Sequence, residues 1–360
     1  MKNQQMKNPQ KRFRKIILSL AGALLLLVVF SLSVSPFFPA ALQAGEMEKA
    51  PELTAAPLLQ RQGEPPAGAF EEEGTLLRGL QVQVEVINQG RDPARSISLE
   101  IPLLAALDSP YQVLLEETFS HQPAALNLQA FNSRTMTLEL PALGPGQSEI
   151  IVMDYALAAH IGNDGASLLE APFPGDFLQP APKVESDHPS ISSRAAQITA
   201  GSTGEAEKVA QIYAFVVAHM DYNDSSPHRN TGALAALRYG EGVCEDYAAL
   251  FAALCRAAGI PARVVYGYTD PTGTGEIFQL APGDTLSLRG YRHAWVEFYL
   301  EDEGWLPADP TFENGSSTFR YFGNLPFGDR IAQNYQDQSI RGSYRGGQLS
   351  ISWDEQLISH

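Results

Sequence analysis

The sequence predicts an α+β protein: an all-β sandwich, then a domain of helices followed by strands, with a hydrophobic helix in front of both. Three observations carry this. Apolar and polar residues alternate along short segments between residues 80 and 157. Helical spacing takes over near residue 200, and alternation returns near residue 292. An uncharged run from Ile16 to Val34 stands apart from the rest. The 360 residues are enough for two domains of ordinary size.

The uncharged run has nineteen residues, long enough to cross a bilayer as a helix. Lys2, Lys7, Lys11, Arg12, Arg14 and Lys15 precede it, with no acid before Glu46. A basic flank stays on the cytoplasmic side, so the chain beyond faces out. Residues 1–44 therefore read as a signal peptide or a single membrane anchor, and the protein as exported, either membrane-anchored or secreted. Residues 45–73, rich in Pro, Ala and Glu without an apolar period, read as a linker. The net charge is −16, and the body is more acidic still once the leader is set aside. Such a surface repels phosphate backbones, which excludes nucleic acid as a partner. Two cysteines exclude a disulfide scaffold and any four-cysteine metal site.

In the segment 74–160, Leu80, Val82, Val84 and Val86 alternate with Gln81, Gln83 and Glu85. This is the period of a half-buried strand. Residues 96–101, 135–140 and 150–157 read likewise as strands, broken by Asn88-Gln89-Gly90 and by the Gly/Pro turn at 141–147. Short strands with turns between them predict a sandwich. No cluster of titratable groups accompanies it, so its expected role is binding or spacing.

The segment 161–360 carries the chemistry. Ser202-x-x-Glu205 predicts a capping box, followed by Val209, Ile212, Tyr213, Val216 and Met220 at helical spacing. A short helix over 231–239 leads to Gly240-Glu241-Gly242-Val243-Cys244. From Cys244 a second helix runs toward the stop signals Gly259 and Pro261, with Ala248, Phe251, Cys255 and Ala258 on one face. Cys244 thus opens a helix, where unpaired backbone N–H groups and the dipole favour a thiolate. Cys255 lies eleven positions on, about 16 Å along the axis, too far for a disulfide. It is expected to be core.

A thiol nucleophile needs a base and an orienting acid. His293, Trp295 and Glu297 alternate with Ala294, Val296, Phe298 and Leu300 on a predicted strand, and Glu301-Asp302-Glu303-Gly304 turns the chain. The next strand brings Asp309 back. A symmetric hairpin pairs Asp309 with Val296, three positions from His293, so a longer turn or bulge is expected to close the offset. Trp295 is expected in the core and Glu297 in an ion pair. The loop 269–290 is placed beside the cleft, and segments near 319–322 and 344–353 as strands covering the core.

The blocks Gly242-Val243-Cys244-Glu245-Asp246-Tyr247-Ala248, Ala258-Gly259-Ile260-Pro261-Ala262-Arg263, His293-Ala294-Trp295-Val296-Glu297 and Trp305-Leu306-Pro307-Ala308-Asp309-Pro310 resemble the transglutaminase-like superfamily across roughly residues 185–315. The resemblance implies a papain-like core, with the cysteine on a helix and His and Asp on the sheet. It also implies Cys244 as nucleophile, His293 as general base and acid, and Asp309 as orienter of the imidazole. The expected function is that of a thiol enzyme acting on amide bonds of proteins or peptides through an acyl-enzyme, by hydrolysis or acyl transfer. The alternative is a catalytically inactive surface binding module of the same fold. The expected partner is a protein or peptide substrate, with the membrane added if the leader is retained; the sequence leaves the oligomeric state open. No cofactor or metal is called for. The Cys244 backbone N–H is the expected oxyanion donor, with Tyr222 and Tyr239 as candidates for a second.

Overall fold

A computed structural model describes residues 75–359 apart from 105–111, 129–132, 161–173, 273–275, 314–319, 324, 326 and 336–338. The predicted leader and linker lie outside the described residues. Among the described residues no helix is long and apolar enough to cross a membrane.

The first alternating segment becomes β1 (Thr75–Asn88), which buries Leu80, Val82, Val84 and Val86. It pairs antiparallel with β6 (Ser148–His160) on one side and β15 (Leu349–Ile358) on the other. β3 (Gln112–Phe119) and β10 (Thr285–Ser287) complete this sheet, in the order β10-β15-β1-β6-β3. A second antiparallel sheet runs β14 (Arg341–Arg345), β2 (Arg95–Leu103), β5 (Arg134–Leu140), β4 (Ala125–Leu128). Val84, Leu99, Met136, Leu138 and Ile151 are among the residues of one apolar core that the two sheets share. The sequence assigned the C-terminal strands to the neighbouring unit. They complete these first two sheets instead, because β1 and β2 each have a free hydrogen-bonding edge, which β15 and β14 pair with.

The remaining elements surround one helix. α1 (Pro189–Ile198), α2 (Glu205–His219) and α3 (Ala233–Tyr239) pack against α4 (Cys244–Ala257). β9 (Ala262–Thr269) and β11 (Arg292–Leu300) cover its other side. The sequence predicted one apolar face for α4, yet every residue from Asp246 to Arg256 is buried. Ala248, Ala249, Ala252 and Ala253 are small enough for neighbours to approach from all directions. Gly259, at φ 83°, ends the helix: its N–H donates to Arg256 O and that of Ile260 to Cys255 O, a Schellman closure. At the start of α2 the expected capping box is replaced. Thr203 donates from N and Oγ1 to Glu207 Oε2, both at 2.8 Å, and Gly204 is the N-cap.

The third sheet runs β12 (Gly304–Ala308), β11, β9, β13 (Arg330–Asn334). Ala294, Val296, Phe298 and Leu300 join the α4 core, while Trp295 joins Val265, Leu325, Ala332 and Tyr335 in a separate cluster. The loop placed beside the cleft docks on the first sheet. Phe278 and Leu288 enter that sheet's core with Tyr268 and Ile331, and β10 pairs with β15.

Candidate active site

The turn before α4 is built around a carboxylate. Gly240, in the left-handed region at φ 67°, ends α3, and β8 (Glu241–Gly242) then pairs in parallel with β7 (Asp221–Tyr222). Asp246 folds back so that Oδ2 accepts from Val243 N at 3.0 Å and Asn230 N at 2.9 Å. A Cβ on Gly242 would lie 2.5 Å from that oxygen, so only glycine admits this turn. Cys244 emerges as the first residue of α4, partly exposed and not in a disulfide. Its neighbour Glu245 is drawn toward Lys183, Nζ to Oε2 at 3.6 Å. Both acids beside the sulfur thus have partners of their own, which tempers their repulsion of a thiolate. Cys255 is a buried free thiol, and burial pushes it well above the ordinary range.

His293 lies second in β11, opposite Gly267 of β9. The hairpin to β12 closes from Leu300 to Gly304, so Val296 faces Ala308 and not Asp309. Extending that register sets Asp309 beside Trp295, with His293 two positions along on the same face. A diagonal pair of this kind is within side-chain reach. From Val296 to Leu300 the register of β11 with β12 runs without a bulge; a three-residue turn and the diagonal close the offset instead. His293 Nε2 meets Asp309 Oδ2 at 2.7 Å. The Cys244 side chain also acts electrostatically on the ring, and with Nε2 on Asp309 the nitrogen left to serve the sulfur is Nδ1.

Burial of the imidazole opposes its protonation, but the charge and hydrogen bond of Asp309, with those of Cys244, outweigh it and push His293 up to about 9. For Asp309 burial likewise acts against the charged form. His293 and Arg330 overcome it and hold the carboxyl below its ordinary value. Arg330 Nη2 is 3.0 Å from the same Oδ2. The Asp309 backbone is tied down as well: its N–H donates to Tyr321 O at 2.8 Å and its carbonyl accepts from Tyr213 OH at 3.1 Å. Glu313 accepts from Tyr321 N, and burial pushes its carboxyl up to about 8.

The three residues singled out in the sequence therefore meet. Trp295 is fully buried, and Glu297 pairs with buried Arg263 at 2.5 Å. Of the two tyrosines, Tyr222 interacts electrostatically with Cys244; partial burial, then that sulfur, pushes its phenol up to about 12. Tyr239 stacks on His228, ring centroids 3.6 Å apart. Arg330 and Glu313 were not singled out in the sequence. Both follow Asp309 in the chain within segments that carry no motif, and only the fold brings Arg330 to it.

Residues 192–310 match the family model of the transglutaminase-like superfamily. A protein-glutamine gamma-glutamyltransferase of Pseudomonas aeruginosa is 44% identical over 73 residues, covering 20% of this chain and 10% of that protein. Kyphoscoliosis peptidase of Mus musculus is 30% identical over 115 residues, 30% of this chain and 16% of that one. The stretches shared with these relatives are a small part of the relatives' length. The crystal structure of the periplasmic domain of TgpA from Pseudomonas aeruginosa superposes with a TM-score of 0.36 at 18% identity, over 69% of this chain and 93% of that one.

Proposed function

Residues 192–310 belong to the transglutaminase-like superfamily, and from that premise we propose that the chain is an exported thiol enzyme acting on amide bonds of proteins or peptides through an acyl-enzyme. One observation carries the reading: the buried imidazole that meets Asp309 at 2.7 Å also interacts electrostatically with the partly exposed Cys244. In this reading His293 takes the Cys244 proton and the sulfur attacks the amide carbonyl carbon. The negative charge that develops on the oxygen meets the Cys244 backbone N–H and the Tyr222 hydroxyl. As the carbon–nitrogen bond breaks, His293 delivers the proton to the departing ammonia or amine and leaves a thioester. Water or an acceptor amine then attacks, its proton passing to His293 and on to the sulfur. Asp309 stays ionised throughout, holding the ring with Nε2 protonated and stabilising the imidazolium.

The leader supports export, and the paired sheets 75–160 with β14 and β15 support a sandwich standing between the linker and the enzyme unit. Labelling with iodoacetamide across pH tests the site. Wild-type protein is expected to label fast near neutral pH, His293→Ala slowly, and Cys244→Ala at Cys244 not at all. Equal, slow labelling of wild type and His293→Ala would sink the proposal. Mass spectrometry of a glutamine peptide, with and without an added amine, then separates hydrolysis from transfer.

A further inference from the structure

We propose that Arg330, held in place by Arg78 of the first sheet, is a positioning residue that aims the Asp309 carboxylate at His293. This rests on the reading of Cys244, His293 and Asp309 given above.

The Arg330 side chain is buried, and its Nη2 shares Asp309 Oδ2 with the imidazole. Two rings flank the guanidinium, Trp295 at 5.2 Å and Phe312 at 5.4 Å from the ring centroids. Phe312 also packs on His293, centroids 5.0 Å apart. Arg330 Nε lies 3.5 Å from Asp329 Oδ1. A cation on the shared oxygen keeps Asp309 an acceptor only, so His293 must donate from Nε2 and turn Nδ1 to the sulfur. Rotation of the carboxylate would break two charge-assisted bonds at once.

What places Arg330 lies in the other half of the molecule. Arg78 is a buried residue of β1; its Nη1 donates to Arg330 O at 3.2 Å and its Nη2 donates to Gly328 O. Burial lowers its guanidinium to about 10, with Asp329 and Asp270 opposing that, so it is cationic at neutral pH. The contacts thus run in series from Arg78 through the backbone at 328–330 and the Arg330 guanidinium to Asp309, His293 and Cys244. Asp309 in turn acts on a nearby acid, its charge adding to the rise of the Glu313 carboxyl. The first two sheets therefore do more than space the enzyme from the membrane: one arginine of theirs supports the reacting groups.

The test is the pH profile of iodoacetamide labelling at Cys244 in the full chain, which requires no substrate. Arg330→Met is expected to lower labelling at pH 7 about tenfold and move its rise to higher pH, because a misplaced Asp309 no longer supports the imidazolium. Arg330→Lys is expected to recover part of the loss. Arg78→Met is expected to shift the profile in the same direction, and the double variant Arg78→Met/Arg330→Met to lose no more than Arg330→Met alone. A wild-type thiol that is reactive and dependent on His293, with a profile unmoved by Arg330→Met, overturns this inference alone. Additive losses overturn the link to Arg78. Slow, His293-independent labelling of the wild type overturns the site reading and this inference with it. If Arg330→Met does not fold, Arg78→Met decides, and an unmoved profile counts against the proposal.

Discussion

The proton on His293 is held by its two neighbours against the cost of burial, and that balance has consequences in pH. The folded chain binds this proton more tightly than the unfolded one, whose imidazole titrates near 6.5. The stabilisation is therefore complete below that value and is lost as pH rises through about 9. Asp309, lowered on folding, contributes in the opposite sense: its share is present above the ordinary aspartate range and is lost as pH falls through the folded value. Thermal melts across pH should decline at both limits, and the alkaline decline should be absent in His293→Ala. On the proposed chemistry, turnover of a glutamine peptide should fall on an alkaline limb near 9, where the imidazolium needed to protonate the leaving ammonia is lost. Asp309→Asn should move that limb downward. A second buried pair is purely structural. Glu297→Ala leaves the Arg263 guanidinium inside with its rings, Tyr335 at 4.1 Å and Trp305 at 4.2 Å, but without that carboxylate. A loss of about 3–5 kcal/mol in denaturant unfolding is expected, with Cys244 labelling of the folded fraction unchanged.

Among the elements, β9 sets how near β13 comes to the site. A Cβ on Gly267 would lie 2.0 Å from Ile331 O and 3.0 Å from Trp295 Cη2. Gly267 stands opposite both His293 and Ala332, so the missing side chain lets β13 carry Arg330 up to Asp309. Gly267→Ala should cost at least about 2 kcal/mol by thermal or denaturant melting. It should also slow Cys244 labelling in the protein that remains folded, since β13 must move away. This need was silent in the sequence, where Gly267 sits inside an otherwise apolar run and no spacing rule marks it. Elements with a strong local pattern were legible: the period-two run of β1, the helix opened by Cys244 and the histidine strand all form where the residues indicate. Others were set by competition between neighbours. Thr203 and Glu207 cap α2 in place of Ser202 and Glu205, because Gly204 is the N-cap and Glu207, the third residue of the helix, is the one that reaches back.

Across the whole molecule the two halves are interlocked. The C-terminal strands return to the first sheets, Arg292 Nη2 donates to both Glu355 oxygens at 2.7 and 2.8 Å, and Tyr268, Phe278, Leu288 and Ile331 bury in the first core. Removing residues 341–360 should leave β1 without its partner β15 and expose that core, although every residue of the 192–310 match remains. Limited proteolysis should then cut within the first sheets, and the single cooperative melt expected of the intact chain should broaden or split.

By itself the sequence determined the local facts: the periods that make strands and helices, the glycines that allow the turn into Cys244, and the sulfur, imidazole and carboxylate from which the proposed site is drawn. These depend on residues close together in the chain, where sterics and hydrogen-bonding reach act directly. Only the tertiary structure decided what approaches from far away. It showed that β15 pairs with β1, that the hairpin joins His293 to Asp309 on a diagonal, and that Arg330 and Arg78 stand behind that pair. Such contacts arise because buried charges and open strand edges must find partners, and the choice among distant partners belongs to packing, which no local spacing records.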